Sequence, residues 1–401
     1  MHVFPHTAIE WIKRLVSYDT VSRNSNLALI ESVRDDLARA SVHSTLSYDP
    51  SCAKANLFAT IPAWNGSVQG GIVLSGHTDT VPVDGQAWDS DPFKAEIREG
   101  RLYGRGTCDM KGFIGTALSL VPTILKTELK QPIHFALSYD EELGCVGAPV
   151  MLKDLVARGV KPGGCIVGEP TSMRVIVAHK GVNTWRCCVE GHSAHSSLTP
   201  RGANSIEYAA KLISFMRDLI DAMKVDGPFD NDFDVPFSTA QVGTIRGGMS
   251  VNTIPQSCEF EFEYRNLPGV DPAEFFGRIE DHVERTLLPR MRAEHPSSNV
   301  RFVQLAKAPF LEAQEEAAVT QLVRALSNDR SHQKVAYGTE AGQFQEVGIP
   351  AVICGPGDIQ QAHKPNEFVE VSQVAACVDF LTRVIGSIAR QDIAAGSTVE
   401  G

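Results

Sequence analysis

The chain of 401 residues lacks the features of several protein classes. No apolar run approaches the roughly eighteen residues that a transmembrane helix needs. The first residues, Met-His-Val-Phe-Pro-His-Thr, have neither the basic start nor the apolar stretch of a signal peptide. The formal net charge of -11 argues against nucleic acid and anionic membranes as partners. We therefore expect a cytoplasmic protein without a membrane anchor.

Paired cysteine motifs are also missing. The nine cysteines are an odd number and include no Cys-x-x-Cys pair, which argues against a disulfide framework and a structural zinc knuckle. Reduced thiols in a cytoplasm explain them more simply. What is present is the composition of a globular protein, with 43% hydrophobic and 21% charged residues. The length exceeds that of a usual single core and predicts two domains.

The apolar patterns predict one domain inserted into another. Residues 54–180 alternate short strands with helical segments, which is typical of an α/β fold. The pattern resumes after about residue 310 and ends in a helix over 372–390. We predict a catalytic domain over residues 1–180 and 309–401, with a central mixed sheet flanked by helices.

Residues 181–308 are expected to form the inserted α+β domain. The predicted order is strand, helix, strand, strand, helix, strand, over 185–190, 204–223, 239–246, 258–265, 272–287 and 300–305. This order is that of the ferredoxin-like unit. A one-sided sheet often has an exposed edge, and pairing with a second subunit would cover it.

Three helices are expected in the first part of the catalytic domain. Thr7 and Glu10 have the spacing of a capping box at the start of the first helix. A second helix is expected over 27–40. A third is expected over 111–125, where Pro122 should disturb its end.

Acidic residues and histidines follow the predicted strands or, in the case of Asp109, come just before the predicted helix over 111–125. The residues are His77, Asp109, Glu141, Glu142, Glu169 and His363. In an open α/β sheet the carboxyl ends of the strands share one crevice, so we expect these side chains to meet there. Zn²⁺ accepts imidazole and carboxylate ligands, and a pair of metals needs one carboxylate that bridges them. Asp109, at an abrupt turn before a helix, is the best bridge.

Two further acidic residues have expected roles in this site. Asp79, two residues beyond His77, is placed to accept a hydrogen bond from the second ring nitrogen of that histidine. The side chains of Glu141 and Glu142 point in different directions, so one can bind metal while the other faces a bound water. A metal lowers the pKa of its water, and we assign Glu141 the role of the base that takes the proton.

Each of these residues has an ordinary alternative when it is considered alone. A His-x-Asp after a strand is often structural, an Asp-Glu-Glu run is often a solvated turn, Glu169 fits a loop carboxylate, and His363 fits a surface position. Cys108 is an alternative centre, as the nucleophile of a thiol enzyme, but no base partner is evident. A small buried thiol is the better interpretation of Cys108.

The sequence resembles the aminoacylase and carboxypeptidase family of co-catalytic zinc hydrolases. The segments that carry the resemblance run in order through nearly the whole chain: SGHTDTVP (75–82), YGRGTCDMKG (103–112), SYDEELGC (138–145), VGEPT (167–171), GHSAHSS (191–197), YGTEAG (337–342) and QAHKP (361–365).

The resemblance implies a site with two divalent metal ions, most simply Zn²⁺, although Co²⁺ or Mn²⁺ could take the same ligands. His77 and Glu169 would bind one ion, Glu142 and His363 the other, and Asp109 would bridge them. Glu141 would be the general acid/base and Asp79 would support His77. The peptide bond after Asp109 is commonly cis in this family.

The resemblance also implies a homodimer formed through the inserted domain. His195 would then reach the active site of the partner subunit and stabilise the developing oxyanion, with loop capping as its structural alternative. Arg265 and Asn252 would bind the substrate carboxylate. Glu340, next to Thr339, would recognise an ammonium group on the substrate.

The implied activity is removal of the acetyl group from N2-acetyl-L-ornithine, a step of arginine biosynthesis. Other N-acyl amino acid deacylases, succinyl-diaminopimelate desuccinylase and a dipeptidase are alternatives within the family. An inactive binding homologue is the alternative from another class, and the complete set of ligands argues against it.

Overall fold

A computed structural model describes residues 5–389, which divide into two compact units. Of the described residues, the larger unit contains 5–177, 313–333 and 343–389. The smaller unit contains 178–312 and 334–342. The expected end of the last helix, position 390, lies outside the described residues.

The helices and strands alternate through the chain. The α-helices are α1 His6–Val16, α2 Leu27–Arg39, α3 Lys111–Ser119, α4 Val121–Leu125, α5 Ala148–Ala157, α6 Ser205–Asp226, α7 Pro272–His282, α8 Leu288–Glu294, α9 Ala318–Ser327, α10 Ala341–Glu346 and α11 Val371–Ser387. The strands are β1 His43–Tyr48, β2 Ala55–Ile61, β3 Ile72–His77, β4 Glu96–Arg98, β5 Arg101–Tyr103, β6 Ile133–Ser138, β7 Gly164–Val167, β8 Ile176–His179, β9 Gly181–Glu190, β10 Thr239–Gly247, β11 Ser257–Asn266, β12 Asn299–Ala308, β13 Leu311–Glu312, β14 Gln333–Val335, β15 Ala351–Ile353 and β16 Phe368–Glu370.

The sheet of the larger unit has the order β1-β2-β6-β3-β7-β15, and the start of β8 pairs with β15. Strands β6, β3, β7 and β15 are parallel, whereas β1 and β2 pair antiparallel, so the sheet is mixed as predicted. Every residue of β3, β6, β7 and β15 is buried, because parallel strands are normally covered on both faces. Their registers pair His77 with Ser138 and Ile353 with Val167, so the carboxyl ends lie at one edge.

A small sheet, β4-β5-β16, joins two distant parts of the larger unit. Phe368 pairs with Tyr103 and Val369 with Leu102. The main-chain N–H of Gly104 also donates to the carbonyl oxygen of Glu367, at 2.9 Å. These contacts hold the segment that follows His363 beside the turn that leads to Asp109.

Two expectations about helix ends have different outcomes. The capping box is wrong, because α1 begins at His6 behind Pro5, and Thr7 therefore lies inside the first turn. The main-chain N–H of Ile9 donates to the carbonyl oxygen of Pro5, the first main-chain hydrogen bond of the helix, and no side chain caps this end. The effect of Pro122 is confirmed, since α3 ends at Ser119 and Pro122 lies in the first turn of the separate α4.

The smaller unit has the predicted ferredoxin-like topology. Its sheet has the order β10-β11-β9-β12, with antiparallel pairing throughout. Strand β11 alternates as expected: Phe260, Phe262 and Tyr264 are buried, and the glutamates between them are partly or fully exposed. The predicted helix over 272–287 is interrupted, because α7 passes into a π-helical turn at 283–287 before α8.

All nine cysteines are free thiols, as the sequence predicts. Among the described residues, no helix is both long enough and apolar enough to cross a membrane.

Candidate metal centre

The carboxyl ends of the parallel strands place the candidate ligands of the larger unit together. His77 is the last residue of β3 and is fully buried. Glu141 and Glu142 follow β6 by three and four residues, and Glu169 follows β7 by two. Asp109 lies two residues before α3, and the peptide bond between Asp109 and Met110 is cis, as the resemblance implied.

Asp109 lies between the two histidines. Its Oδ1 is 2.9 Å from Nε2 of His77, and its Oδ2 is 3.3 Å from Nε2 of His363. The two oxygens of one carboxylate therefore face two different imidazoles. This arrangement is the one that a bridging carboxylate requires.

Each histidine has its own glutamate as well. Oε1 of Glu169 is 3.7 Å from Nε2 of His77, and Oε2 of Glu142 is 3.1 Å from Nε2 of His363. Glu141 also belongs to the cluster, since ligand atoms of His77, Glu141 and Glu169 all lie within 4.8 Å of one another. The structure thus brings together all six residues that the sequence analysis expected to meet.

The sequence predicts a hydrogen bond from His77 to the carboxylate of Asp79, but it is the main-chain oxygen of Asp79 that lies nearer to the ring. Nδ1 of His77 lies 3.0 Å from the main-chain oxygen of Asp79 and 3.5 Å from its carboxylate. That carboxylate instead accepts hydrogen bonds from the main-chain N–H groups of Glu141, at 3.1 Å, and Glu142, at 3.2 Å. The hydroxyl of Ser22 donates to it as well, at 2.8 Å. Asp79 therefore orients the turn that carries both glutamates as well as the ring of His77.

The acidic groups of the cluster repel one another. Burial, followed by the charge of neighbouring carboxylates, raises the pKa of Glu141 from 4.5 to about 8. Burial and the charge of Asp109 raise the pKa of Glu142 to about 7 and also raise the pKa of Glu169. Hydrogen bonds to Asp109 and Glu142 raise the pKa of His363 to about 10.

The donor set fits divalent cations. Four carboxylates and two imidazoles meet in a largely buried volume, and these are ligand types that Zn²⁺ accepts. Without cations, protons have to neutralise part of the acidic charge, which is what the raised pKa values express. A pair of dications would relieve the same repulsion.

Cys108 is a buried thiol rather than a nucleophile. Its Sγ donates to the carbonyl oxygen of Asp358 at 3.3 Å, and its side chain is almost completely buried. Burial, reinforced by the carboxylates of Glu367 and Asp109, raises the pKa of the thiol well above its usual value. A reactive thiol requires the opposite shift, so the surroundings disfavour a thiol enzyme centred on Cys108.

In the smaller unit, His195 and Asn252 lie on neighbouring loops. The main-chain N–H of Ser196 donates to the carbonyl oxygen of Asn252 at 3.0 Å, and His195 forms an isolated bridge with Thr253. His195 also caps the short 3-10 helix Ser196–Arg201, where its ring nitrogen accepts from the N–H of Ser197. The capping role is present, and a role in the reaction stays a prediction.

Arg265, Thr339 and Glu340 form a second group in the smaller unit. The guanidinium of Arg265 forms an ion pair with Glu263 at 2.7 Å and reaches the carbonyl oxygen of Ala336 at 3.5 Å. Thr339 and Glu340 follow in the same segment and are buried. The arginine expected to bind substrate is therefore engaged with a carboxylate of its own strand.

Sequence reasoning missed a buried ion pair beside the candidate ligands. Arg105 and Glu367 pair through Nη1 and Oε2 at 2.7 Å, although 262 residues separate them in the sequence. Arg105 lies inside one of the segments that carry the family resemblance, which is the one signal that marks it. Nothing in the sequence marks Glu367 as its partner.

The raised pKa values predict how stability depends on pH when metal is removed. Above pH 4.5 the folded, metal-free protein retains protons that the unfolded chain has released, on Glu142 up to its pKa of about 7 and on Glu141 up to its pKa of about 8. The free energy of unfolding of chelator-treated protein should therefore fall as the pH rises through this window. Urea denaturation at several pH values measures the trend. Glu142→Gln should flatten it, and a free energy that rises with pH over the same window would contradict the assignment.

Known proteins match this chain over most of its length. Residues 73–387 match the model of peptidase family M20/M25/M40. The acetylornithine deacetylase of Proteus mirabilis is 32% identical over 393 residues, which are 96% of this chain and 97% of that protein. The acetylornithine deacetylase of Myxococcus xanthus is 33% identical over 379 residues, which are 93% of this chain and 95% of that protein.

Solved structures have the same fold. A tripeptidase from Staphylococcus aureus superposes with a TM-score of 0.73 at 18% identity and covers 96% of this chain and 99% of its own. A dinuclear metal binding peptidase of the M20 family from Bacillus subtilis superposes with a TM-score of 0.64 at 15% identity, covering 96% and 98%. From the matched family signature and the near full-length relatives, the chain belongs to peptidase family M20/M25/M40, a family of hydrolases.

Proposed function

We propose that the protein hydrolyses N2-acetyl-L-ornithine to L-ornithine and acetate. The observation that carries the proposal is the position of Asp109, whose two carboxylate oxygens face the imidazoles of His77 and His363. The choice of substrate is supported by relatives named acetylornithine deacetylase, which match over nearly the full length. A small-molecule substrate also agrees with the acidic net charge, which disfavours nucleic acid.

The proposed centre holds two divalent metal ions, most simply Zn²⁺. The side chains of His77 and Glu169 would bind one ion, those of Glu142 and His363 the other, and Asp109 both. The proximity of Glu169 to His77 and of Glu142 to His363 supports this division. Such a pair of ions supplies Lewis acidity for the acetyl carbonyl and makes water acidic enough to react near neutral pH.

Glu141 is the proposed general acid/base. It accepts a proton from the attacking water and delivers it to the nitrogen of the departing ornithine. Its Oε1 is 3.2 Å from Sγ of Cys145, which donates a hydrogen bond to it. That contact occupies one oxygen and leaves the other oxygen to carry the proton. Burial raises the pKa of Glu141, which favours a group that both accepts and donates near neutral pH.

The smaller unit would supply the substrate contacts. Arg265 and Asn252 would bind the α-carboxylate, and the buried carboxylate of Glu340, beside Thr339, would recognise the ornithine ammonium. For Arg265 this requires exchanging its present partner, Glu263, for the substrate. In the proposed homodimer, His195 would stabilise the negative charge that develops on the acetyl oxygen in the partner subunit's active site.

Purified protein should release acetate from N2-acetyl-L-ornithine, measured by proton NMR. Chelation should abolish the reaction and Zn²⁺ or Co²⁺ should restore it, because the carboxylate and imidazole ligands need bound cations to bring about hydrolysis. N-succinyl-LL-diaminopimelate, neutral N-acetyl amino acids and dipeptides in the same assay distinguish the other family activities. Faster turnover of one of these would reassign the substrate, and activity that resists chelation would refute the metal centre.

Replacing Glu141 by glutamine should separate catalysis from metal binding. The amide keeps the size of the side chain but cannot carry the proton, so kcat should fall at least 100-fold, the lower end of typical general acid–base contributions. Metal content, measured by atomic absorption, should stay unchanged. Glu142→Gln is the matched control, since it alters a proposed ligand and should lower metal content. Near-normal turnover of Glu141→Gln would contradict the mechanism.

Glu340→Gln should change substrate preference. A charge-assisted hydrogen bond to the substrate ammonium contributes about 1.5–3 kcal/mol, so kcat/KM for N2-acetyl-L-ornithine should fall roughly 10- to 100-fold. The kcat/KM for a neutral substrate such as N-acetyl-L-methionine should change little. Glu259→Gln, at an exposed position of β11 in the same unit, serves as the control. Equal effects on both substrates would remove this role from Glu340.

A further inference from the structure

A buried ion pair joins the two chain segments that carry the bridging carboxylate and the second histidine. The side chains of Arg105 and Glu367 are each only 1% exposed, and they meet at 2.7 Å. Isolated charges are seldom buried to this extent without a partner, because desolvation is costly. This pair lies next to Asp109 on one side and close to His363 on the other.

Glu367 fixes the main chain at Asp109. Its Oε1 accepts hydrogen bonds from the N–H groups of Cys108, at 2.8 Å, and Asp109, at 3.0 Å. Its Oε2 accepts from Arg105. One carboxylate thereby holds two consecutive peptide groups of the turn, so the direction in which the Asp109 side chain leaves the backbone depends on it.

Arg105 reaches the segment of His363. Its Nη1 donates to the carbonyl oxygen of Lys364 at 3.3 Å, and its Nη2 donates to Oε1 of Gln86 at 2.6 Å. The amide of Gln86 in turn donates to the carbonyl oxygen of His363 at 3.0 Å. Two routes therefore connect the guanidinium to the backbone around His363.

The two histidines differ in what holds them. His77 is fully buried as the last residue of the central strand β3, so packing fixes its ring. The side chain of His363 is 55% exposed, and its backbone has a φ of 63°, in the left-handed region that costs energy for a residue with a Cβ. Packing restrains this imidazole less than that of His77, so its position depends on its contacts with Asp109 and Glu142 and on the contacts of its main chain.

We propose that Arg105 and Glu367 are positioning residues that set the distance between Asp109 and His363. They would thereby govern the affinity of the metal position formed by Asp109, Glu142 and His363 more than that of the position formed with His77. The inference rests on the proposed dinuclear centre. Neither residue touches the ions or the substrate; both act through the ligands.

Two substitutions separate positioning from simple electrostatics. Arg105→Met leaves a buried negative charge, which by attraction alone would strengthen binding of a cation. Glu367→Gln leaves a buried positive charge, which by repulsion alone would weaken it. If positioning dominates, both variants weaken the same metal step. Partners of metal ligands typically contribute 10- to 100-fold in affinity, and we expect a loss of that size.

The experiment is calorimetric titration of chelator-treated protein with Zn²⁺. The wild type should bind two equivalents, and His363→Ala identifies which of them depends on that histidine. Both Arg105→Met and Glu367→Gln should weaken that equivalent about 10- to 100-fold and leave the other near the wild-type affinity. Gln86→Ala, on a partly exposed loop, removes one hydrogen-bond partner of Arg105 and leaves its ion pair with Glu367 in place, so it should give a smaller loss in the same step.

Glu315→Gln is the matched control. It breaks another arginine–glutamate pair of the larger unit, with Arg324 at 2.6 Å, and the hydrogen bonds of these two side chains involve no proposed ligand. It should leave both metal steps unchanged. Wild-type affinities in all the pair variants, or opposite effects of Arg105→Met and Glu367→Gln, would overturn the positioning role. A wild type that binds no second equivalent would overturn the dinuclear centre instead.

Discussion

Four carboxylates and two imidazoles meet at the carboxyl ends of the parallel strands. The cost of burying these acids beside one another is the constraint that the surrounding contacts of the larger unit must meet. Parallel strands bring their ends to one edge, so side chains far apart in sequence become neighbours there. The pKa of Glu142 is raised because its charge is buried beside Asp109. Bound protons or bound cations can neutralise such a cluster, and the two imidazoles beside the four carboxylates fit divalent cations.

Hydrogen bonds from main-chain N–H groups to neighbouring carboxylates hold the turns that carry the clustered acids. The carboxylate of Asp79 accepts hydrogen bonds from the main-chain N–H groups of Glu141 and Glu142. The carboxylate of Glu367 likewise accepts hydrogen bonds from the N–H groups at the Asp109 turn. In both cases a buried carboxylate orders a backbone that presents another carboxylate. The acidic residues of this region therefore have two roles, since some face the centre and others orient the turns behind it.

The smaller unit is stabilised by an aromatic core. Its sheet is held by the alternation of β11, where Phe262 stacks with Trp185 at 5.4 Å, and Trp185 stacks with Phe276 of α7 at 4.9 Å. These aromatic contacts build a core that is independent of the acidic cluster. The loops of His195 and Asn252 are thus carried by a unit with its own core, and functional residues are commonly found on loops that a rigid scaffold positions.

Local pattern was enough to determine much of this protein. The alternation of Phe and Glu in β11, the apolar runs of β3, β6 and β7 and the residue types at their ends are properties of short segments, so the sequence predicts the ferredoxin-like unit, the mixed sheet and the six clustered side chains. The tertiary structure alone decided that Glu367 pairs with Arg105, that the carboxylate of Asp79 binds the N–H groups of the glutamate turn, and that His363 is half exposed while His77 is buried. Those contacts join residues many positions apart, and their partners are chosen by how the segments pack, for which no single segment carries a signal.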